Sequence, residues 1–428
     1  MNRLLLGIIL IAFGVGAFKV SQYHAAPGFQ PSSKALVSNG DVRKQSRFAS
    51  SKQHIQTHAA SEIELKDGRI RAFWFSGSRE GAKDVEIHSA VFDPVQGAWG
   101  AEQAVVSRES TGQSLMRYIS KLGNPVPARA ADGTLWLYFV TVSMGGWAGS
   151  SITAMTSVDE GETWRSARRL ITSPFLNIST LVKGAPFFYS DGTMGLPVYH
   201  EFISKFGEIL HLDQNGVVID KQRLVAGGNG ALQPVVLAQN ATDALALMRY
   251  AGADAPHRVI SIATRDGGEH WTAPAKSALS NPDSALAAVT LPGGRLLVVL
   301  NNLERGRDAL SLMISADGGD TWKNVYQLEE QRGQRLDEPH YLETVAGLAK
   351  EAVATDVGEY VESVKNQTCA EHNCRFEFSY PYLLQVKNGD FHLVYTWNRS
   401  FIKHVWFTRA WLDQRLNETV PVSLSGHD

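Results

Sequence analysis

A short pattern occurs three times in the chain, as SVDEGETW (Ser157 to Trp164), TRDGGEHW (Thr264 to Trp271) and SADGGDTW (Ser315 to Trp322), and it limits the fold more than any other feature. In each copy a hydroxyl residue is followed two places on by Asp, two further by Gly and three further by Trp. Each copy also follows a short alternating apolar run such as SLMI, Ser311 to Ile314. This is the chemistry of a closed β-hairpin. The carboxylate accepts backbone N–H groups across the turn, Gly supplies a positive φ, and Trp packs back over the start of the next strand. Asp159, Asp266 and Asp317 are separated by 107 and 51 positions, so the first interval is two periods of the second. A repeat of about 50 residues with turn-rich β sequence between copies predicts the blades of a propeller. A degenerate copy, FDPVQGAW at Phe92 to Trp99, keeps Asp93, Gly97 and Trp99 and marks the first blade.

Composition is consistent with one large domain. The chain has 428 residues, 44% of them hydrophobic, enough to bury a sizeable core. Roughly 360 residues from His54 to Leu412 divide into six units of about 60, an ordinary blade with its loops. The net charge of −2 and the absence of a long Lys/Arg run give no reason to expect nucleic acid as a partner.

The N-terminus carries Arg3, then an apolar or small stretch from Leu4 to Phe18, then Lys19. That pattern reads as a signal or signal-anchor segment over 1–20. Val15 and Ala17 permit cleavage after Ala17, but the following Lys19 favours an uncleaved anchor extended through Val20. Residues 21–53, rich in Ser, Gln, Gly and Pro, read as a flexible tether, 54–412 as the propeller and 413–428 as a tail. The two cysteines, Cys369 and Cys374 in CAEHNC, read in an exported protein as a loop-stapling disulfide. A metal site using His372 is the weaker alternative, because its coordination sphere would be incomplete.

The repeats resemble the Asp-boxes of the sialidase (neuraminidase) superfamily, which implies an all-β, six-bladed β-propeller. A repeat alone implies fold rather than activity, since many Asp-box propellers are not glycosidases. Further strings extend the resemblance over about His54 to Phe407. FSGSREGAKDVEIH, VYHEF, SNPDSALAAV and YPYLLQVKNGDFHLVYTWNRSFIKHVWF look like a divergent branch of bacterial sialidase-like proteins.

The resemblance also implies site residues, and no cofactor. Sialidases end the equivalent strand of blade one in an arginine, with the aspartate general acid and base five positions later; Arg79 and Asp84 match that spacing. A turn on the rim is the structural alternative. Three arginines bind the substrate carboxylate in that family, since a planar guanidinium meets a carboxylate through two parallel hydrogen bonds. Arg249, in LALMRYAG, and Arg307, eight residues before Ser315, occupy two of those places; a surface ion pair is the alternative for either. The family nucleophile is a tyrosine early in the last blade, a neutral group that does not repel an anionic substrate. Tyr380 aligns with it, and Tyr382 is the rival.

Two departures stand out. His58 replaces the first triad arginine, and Gln233 replaces the glutamate that polarises the tyrosine. A neutral amide cannot take the phenolic proton, which makes Glu201, in LPVYHEF, the expected substitute. His200 should alternate to the other side of the strand.

The resulting expectation is an exo-glycosidase removing a terminal 2-keto-3-deoxy sugar acid. Sialic acid is the default for the superfamily, and Kdo from lipopolysaccharide core fits the resemblance to the sialidase-related subunit of bacterial Kdo hydrolases. That architecture implies the periplasmic side of the inner membrane and a membrane partner subunit. Two alternatives remain: a non-catalytic carbohydrate-binding propeller, and a lyase or rhamnosidase-type propeller using a histidine such as His58 or His200.

Overall fold

Strands such as LWLYFVTV (Leu135–Val142), FHLVYTW (Phe391–Trp397) and LLVVL (Leu296–Leu300) are buried along their whole length. An apolar run of this kind suits a strand covered on both faces, and here the cover is a neighbouring sheet. The computed structural model describes residues 6–418 apart from 8, 12, 15–26, 32–39, 52–54, 174–176, 226–229, 335, 353–356 and 371–372.

Six antiparallel sheets stand around a central axis, each with its first strand innermost. Blade one is built on Gln56–Glu64, Ile70–Gly77 and Glu86–Asp93, with Gln103–Val106 outside. Blade two runs from Lys121–Arg129 to Arg168–Arg169, and blade three from Leu181–Val182 to Val218–Arg223. Blades four and five span Ala231–Ala238 to Ala275–Ser280 and Ala287–Thr290 to Lys323–Glu330. Blade six takes Phe378–Gln385, Phe391–Trp397 and Phe401–Phe407 from the C-terminal part of the chain and its outer strand, Lys44–Phe48, from the N-terminal part. Lys44 pairs with Phe407 and Phe48 with Lys403, so the two ends of the chain close the ring.

This corrects the expectation of a tether over 21–53. A second N-terminal piece, Phe29–Gln30, pairs with Phe187–Tyr189 of blade three, and Phe29 N–H donates to the Ala241 carbonyl at 2.8 Å. The tail boundary also shifts, because a helix, Arg409–Glu418, continues across position 413 and buries Trp411 and Leu412. The described residues between 6 and 14 are helical, and no helix among the described residues is long and apolar enough to cross a membrane. Ala17, Lys19 and Val20 of the expected anchor, His54 and the end of the tail lie outside the described residues.

The three repeats close the hairpin between the third and fourth strands of blades two, four and five. Asp159 accepts from Ser157 Oγ at 2.7 Å and Thr163 N at 2.9 Å; Asp266 and Asp317 repeat the pattern with Thr264 and His270, and with Ser315 and Thr321. The tryptophans turn out to pack on the preceding blade rather than on their own next strand. Trp164 meets Phe73 of blade one at 5.8 Å, and Trp271 Nε1 donates to Gln222 of blade three at 3.2 Å. The glycine has a second role: a Cβ on Gly319 would stand 2.7 Å from Leu245 Cδ2 of blade four, besides facing a φ of 104°. The degenerate copy has Val91 in the hydroxyl position. Asp93 there accepts instead from Val95 N and Gln96 N, an ordinary Asx turn.

Separate apolar clusters fill the spaces between blades. Phe73, Phe139 and Leu137 lie between blades one and two, and Tyr138, Leu196 and Leu210 between two and three. The space between blades five and six is widened by two helices, Glu338–Lys350 and Val357–Thr368, which bury Tyr341, Val345 and Val364. The Cys369–Cys374 disulfide follows the second helix, as the stapling reading expects. His372, the remaining ligand of the metal alternative, lies outside the described residues.

Candidate active site

In or shortly before its innermost strand, every blade passes through one residue in the left-handed backbone region. These are Ala59, Asn124, Ser179, Gln233, Asp283 and Tyr380, with φ between 43° and 57°. In blades one, two, four and six the strand slips register there, the mark of a β-bulge. Pro125, Pro234 and Pro381 follow three of them, which suits a bulge because proline offers no N–H to the ladder. A bulge re-aims the side chain it carries, and five of these six side chains are polar. They gather at one end of the axis, beside the loops joining the second and third strands. The repeat hairpins close the opposite end.

Tyr380 stands at the floor of this funnel. Its hydroxyl oxygen accepts from Gln233 Nε2 at 3.2 Å and from Arg249 Nη1 at 3.2 Å. The same amide nitrogen donates to Tyr199 OH at 3.3 Å, and Asn124 Nδ2 donates to Tyr199 OH at 3.2 Å. Gln233 Oε1 accepts from Arg249 at 3.3 Å, which fixes the amide orientation. The neutral glutamine therefore points donors, not an acceptor, at the phenol. Two N–H groups aimed at one oxygen favour negative charge on that oxygen.

Arg249 and Arg307 converge on Asp283. Arg249 Nε donates to its carboxylate at 2.6 Å and Arg307 Nη2 to its carbonyl at 2.8 Å. Arg307 also meets Glu377 at 3.4 Å, and Arg399 Nε donates to the other oxygen of Glu377 at 2.6 Å. The Arg399 side chain makes no further hydrogen bond among the described residues, so its two Nη groups remain for a ligand. The site thus gathers three guanidiniums. Arg79, expected in that group, is exposed on the rim, and its side chain makes no ion pair among the described residues.

His58 does not add positive charge to the rim. Its ring lies 4.2 Å from that of Tyr380 and 5.6 Å from that of Phe75, and burial, opposed by Glu377, lowers its pKa to about 3. It is a neutral packing partner of the tyrosine, which also removes it as an acid. His200 stacks on Phe206 at 4.8 Å, on the side away from the floor, as alternation predicts. Lys183, buried below the floor, donates to the Pro381 carbonyl at 3.1 Å, and burial lowers its pKa to about 7.

The carboxyl groups differ among themselves. For Asp84, slight burial is outweighed by bonds from Ser78 N and Ser78 Oγ, each 2.9 Å, and the group is held below the usual range at the exposed surface. Glu201 is raised by burial, against Arg249 and Lys205. It makes no hydrogen bond to the Tyr380 hydroxyl among the described residues, so the expected direct contact is corrected; its charge acts instead on neighbouring Tyr199. Glu80 is exposed, yet the chain crowded around it desolvates its carboxyl enough to raise it, against Arg399, Arg307 and Arg249. For Glu377 burial is outweighed by Arg399 and Arg307, and it is held low.

The structure thus brings Tyr380, Gln233, Arg249, Arg307 and His58 together, with Glu201 in the wall, and leaves Arg79 and Asp84 outside. Sequence reasoning missed Asn124, Tyr199, Asp283, Glu377 and Arg399. The X-Pro steps in GNPVP, LQPVV and SYPYL, repeated at the start of three inner strands, were the available signal for the bulges.

The sequence matches the BNR repeat-like domain over residues 68–393, most of its length. The chain belongs to the BNR repeat-like family. Among solved structures, this BNR repeat-like propeller superposes on a Hadza microbial sialidase with a TM-score of 0.60 at 15% identity, over 83% of this chain and 66% of that one, so it spans just under two thirds of that protein. The intramolecular trans-sialidase from Ruminococcus gnavus gives 0.58 at 11% identity over 83% of this chain and 95% of that one. The GH93 α-L-arabinofuranosidase of Fusarium graminearum gives 0.54 at 11% identity over 86% and 98%. These likenesses establish the fold. No curated protein matches the chain in sequence.

Proposed function

We propose that the protein is an exo-glycosidase that removes a terminal 2-keto-3-deoxy sugar acid, sialic acid or Kdo, from a glycan. The observation that carries this reading is the Tyr380 oxygen, held by Gln233 and Arg249 on the floor of a funnel ringed by Arg249, Arg307 and Arg399. Asp283 and Glu377 offset two of the three guanidinium charges. The Arg399 Nη groups, which Glu377 leaves open, would meet the substrate carboxylate. An oxocarbenium-like centre above Tyr380 would then meet a phenolic nucleophile in place of a second carboxylate.

In this reading Tyr380 attacks the anomeric carbon from the floor and the configuration is retained. Its proton passes through funnel water to Glu201, a carboxyl made more basic by burial. The named sialidase and arabinofuranosidase neighbours support a glycosidase of this fold; the acid sugar rests on the arginines of this chain. Kdo lacks the N-acyl arm of sialic acid, so either fits the same clamp. The apolar N-terminal stretch supports placement on the periplasmic side of the inner membrane, with a partner subunit there.

Purified protein should hydrolyse an aryl ketoside of sialic acid or of Kdo and release the sugar acid with retained configuration, read by NMR of the first product. Equal turnover of neutral aryl glycosides would overturn the acid-sugar reading. Tight binding of the sugar acid without turnover would make the propeller a lectin-like module.

A further inference from the structure

We propose that Glu80, rather than Asp84, is the general acid that protonates the leaving oxygen. The inference rests on the glycosidase reading above and names the proton donor for it.

Both residues lie on the loop between the second and third strands of blade one, and they sit in opposite situations. Both carboxylate oxygens of Asp84 are engaged by Ser78, one through its N–H and one through its Oγ. Asp84 thus closes its own turn at the exposed edge of the loop. An aspartate spending both oxygens on local donors is held ionised and has no proton to give.

Glu80 is fixed differently. Its backbone N–H donates to Gln56 Oε1 at 2.9 Å, which ties this point of the loop to the first strand of blade one, two residues before His58. The charges that act on its carboxyl are those of Arg399, Arg307, Arg249 and Glu377, and it acts in turn on Glu201 across the funnel. These groups come from blades three to six, so the carboxyl shares one space with the arginines and the floor. It makes no hydrogen bond among the described residues, leaving its oxygens for a ligand. Its side chain is exposed, as that of Asp84 is, but the chain crowded around it desolvates the carboxyl and moves it upward, the direction an acid working near neutrality needs.

The steps balance as follows. The Glu80 carboxyl gives its proton to the glycosidic oxygen as the bond to the anomeric carbon breaks, and the bonding pair stays on that oxygen, which leaves as an alcohol. The Tyr380 oxygen bonds to the anomeric carbon and its proton goes to Glu201. Water then displaces the tyrosine oxygen, one water proton returning to Glu80 and the Glu201 proton returning to Tyr380.

The test uses two aryl ketosides of one sugar acid, one with a nitrophenol leaving group and one with a weakly acidic phenol. Glu80→Gln should lower kcat/KM by roughly 10²- to 10⁴-fold on the weakly acidic phenol and far less on the nitrophenol, because a good leaving group needs little protonation. Asp84→Asn should keep the wild-type ratio between the two substrates. Thermal melts of both variants show whether either is misfolded, and a Glu80→Asp variant with partial activity distinguishes chemistry from packing. Leaving-group dependence appearing in Asp84→Asn and not in Glu80→Gln would overturn the assignment while the function stands. An equal loss on both substrates in Glu80→Gln would also overturn it. A wild-type protein inactive on both would remove the glycosidase reading, and the assignment with it.

Discussion

Arg249 reaches the Tyr380 hydroxyl with Nη1 at 3.2 Å while its Nε holds Asp283 at 2.6 Å. One guanidinium therefore serves both the tyrosine oxygen and the rim where a carboxylate would dock. Burial alone would lower the Arg249 pKa, but Tyr380 and Asp283 raise it, so the cation is secure. Tyr380→Phe removes the oxygen and leaves the Arg249–Gln233 contact in place. We expect a loss of turnover on the order of 10³-fold or more with an unchanged melting temperature. Near-wild-type rates would exclude the tyrosine as nucleophile.

Arg307 lies between the carbonyl of Asp283 and the carboxylate of Glu377. Arg307→Lys keeps the charge and loses the fork. For an acidic ketoside, kcat/KM should fall by roughly 10- to 100-fold, the value of one charge-assisted hydrogen bond, with most of the change in KM. Competition assays with the free sugar acid would show the same loss in Ki.

His392 and His404 form a buried pair between the outer layers of blade six and Phe92 of blade one, Nδ1 to Nε2 at 2.9 Å. Burial lowers His392 to about 3 and also holds His404 well below its ordinary 6.5. Both are neutral when folded and gain protons on unfolding in acid. Their contribution to stability is complete above about pH 6.5 and is lost as the pH falls from there towards 3, by ~1.4 kcal/mol per pH unit for each. Glu62, raised by burial, acts in the opposite direction above its ordinary range. The clean readout is therefore the difference between wild type and a His392→Leu, His404→Leu double variant in melts from pH 7.5 to 5. The wild type should lose more stability than the variant over that interval, and parallel curves would contradict this.

A second buried cluster ties blade five to blade six. Lys403 Nζ and Tyr395 OH both donate to Glu329 at 2.6 Å, and the lysine and glutamate side chains are 4% and 2% exposed. Lys403→Met leaves a buried carboxylate without its cation and should cost roughly 3–5 kcal/mol. Adding Glu329→Gln should restore much of that loss, measured by chemical denaturation.

Much of the ring was legible because its signals are local. The hydroxyl-Asp-Gly-Trp spacing holds its own hydrogen bonds within eight residues, so a sequence pattern reports it directly. The closing strand was not legible. KQSRF at Lys44–Phe48 carries a single strong apolar residue and becomes a strand only because Phe401–Phe407 offers it an open edge. The site divides in the same way. Tyr380 and Gln233 could be aligned from their strands, whereas Glu377 and Arg399 lie 22 positions apart and meet only after blade six folds. Glu80 and Asp84 show the limit of spacing as a guide. Four positions apart on one loop, they differ in whether Ser78 reaches the carboxylate, which no spacing encodes.

The short strand Phe29–Gln30 meets blades three and four beside the turns at Tyr189 and Ala241, at the end of the axis away from Tyr380. A support attached just before Phe29 would therefore hold the propeller by its back. A molecule immobilised through that end, on a bead, a chip or a bilayer, presents its funnel outward.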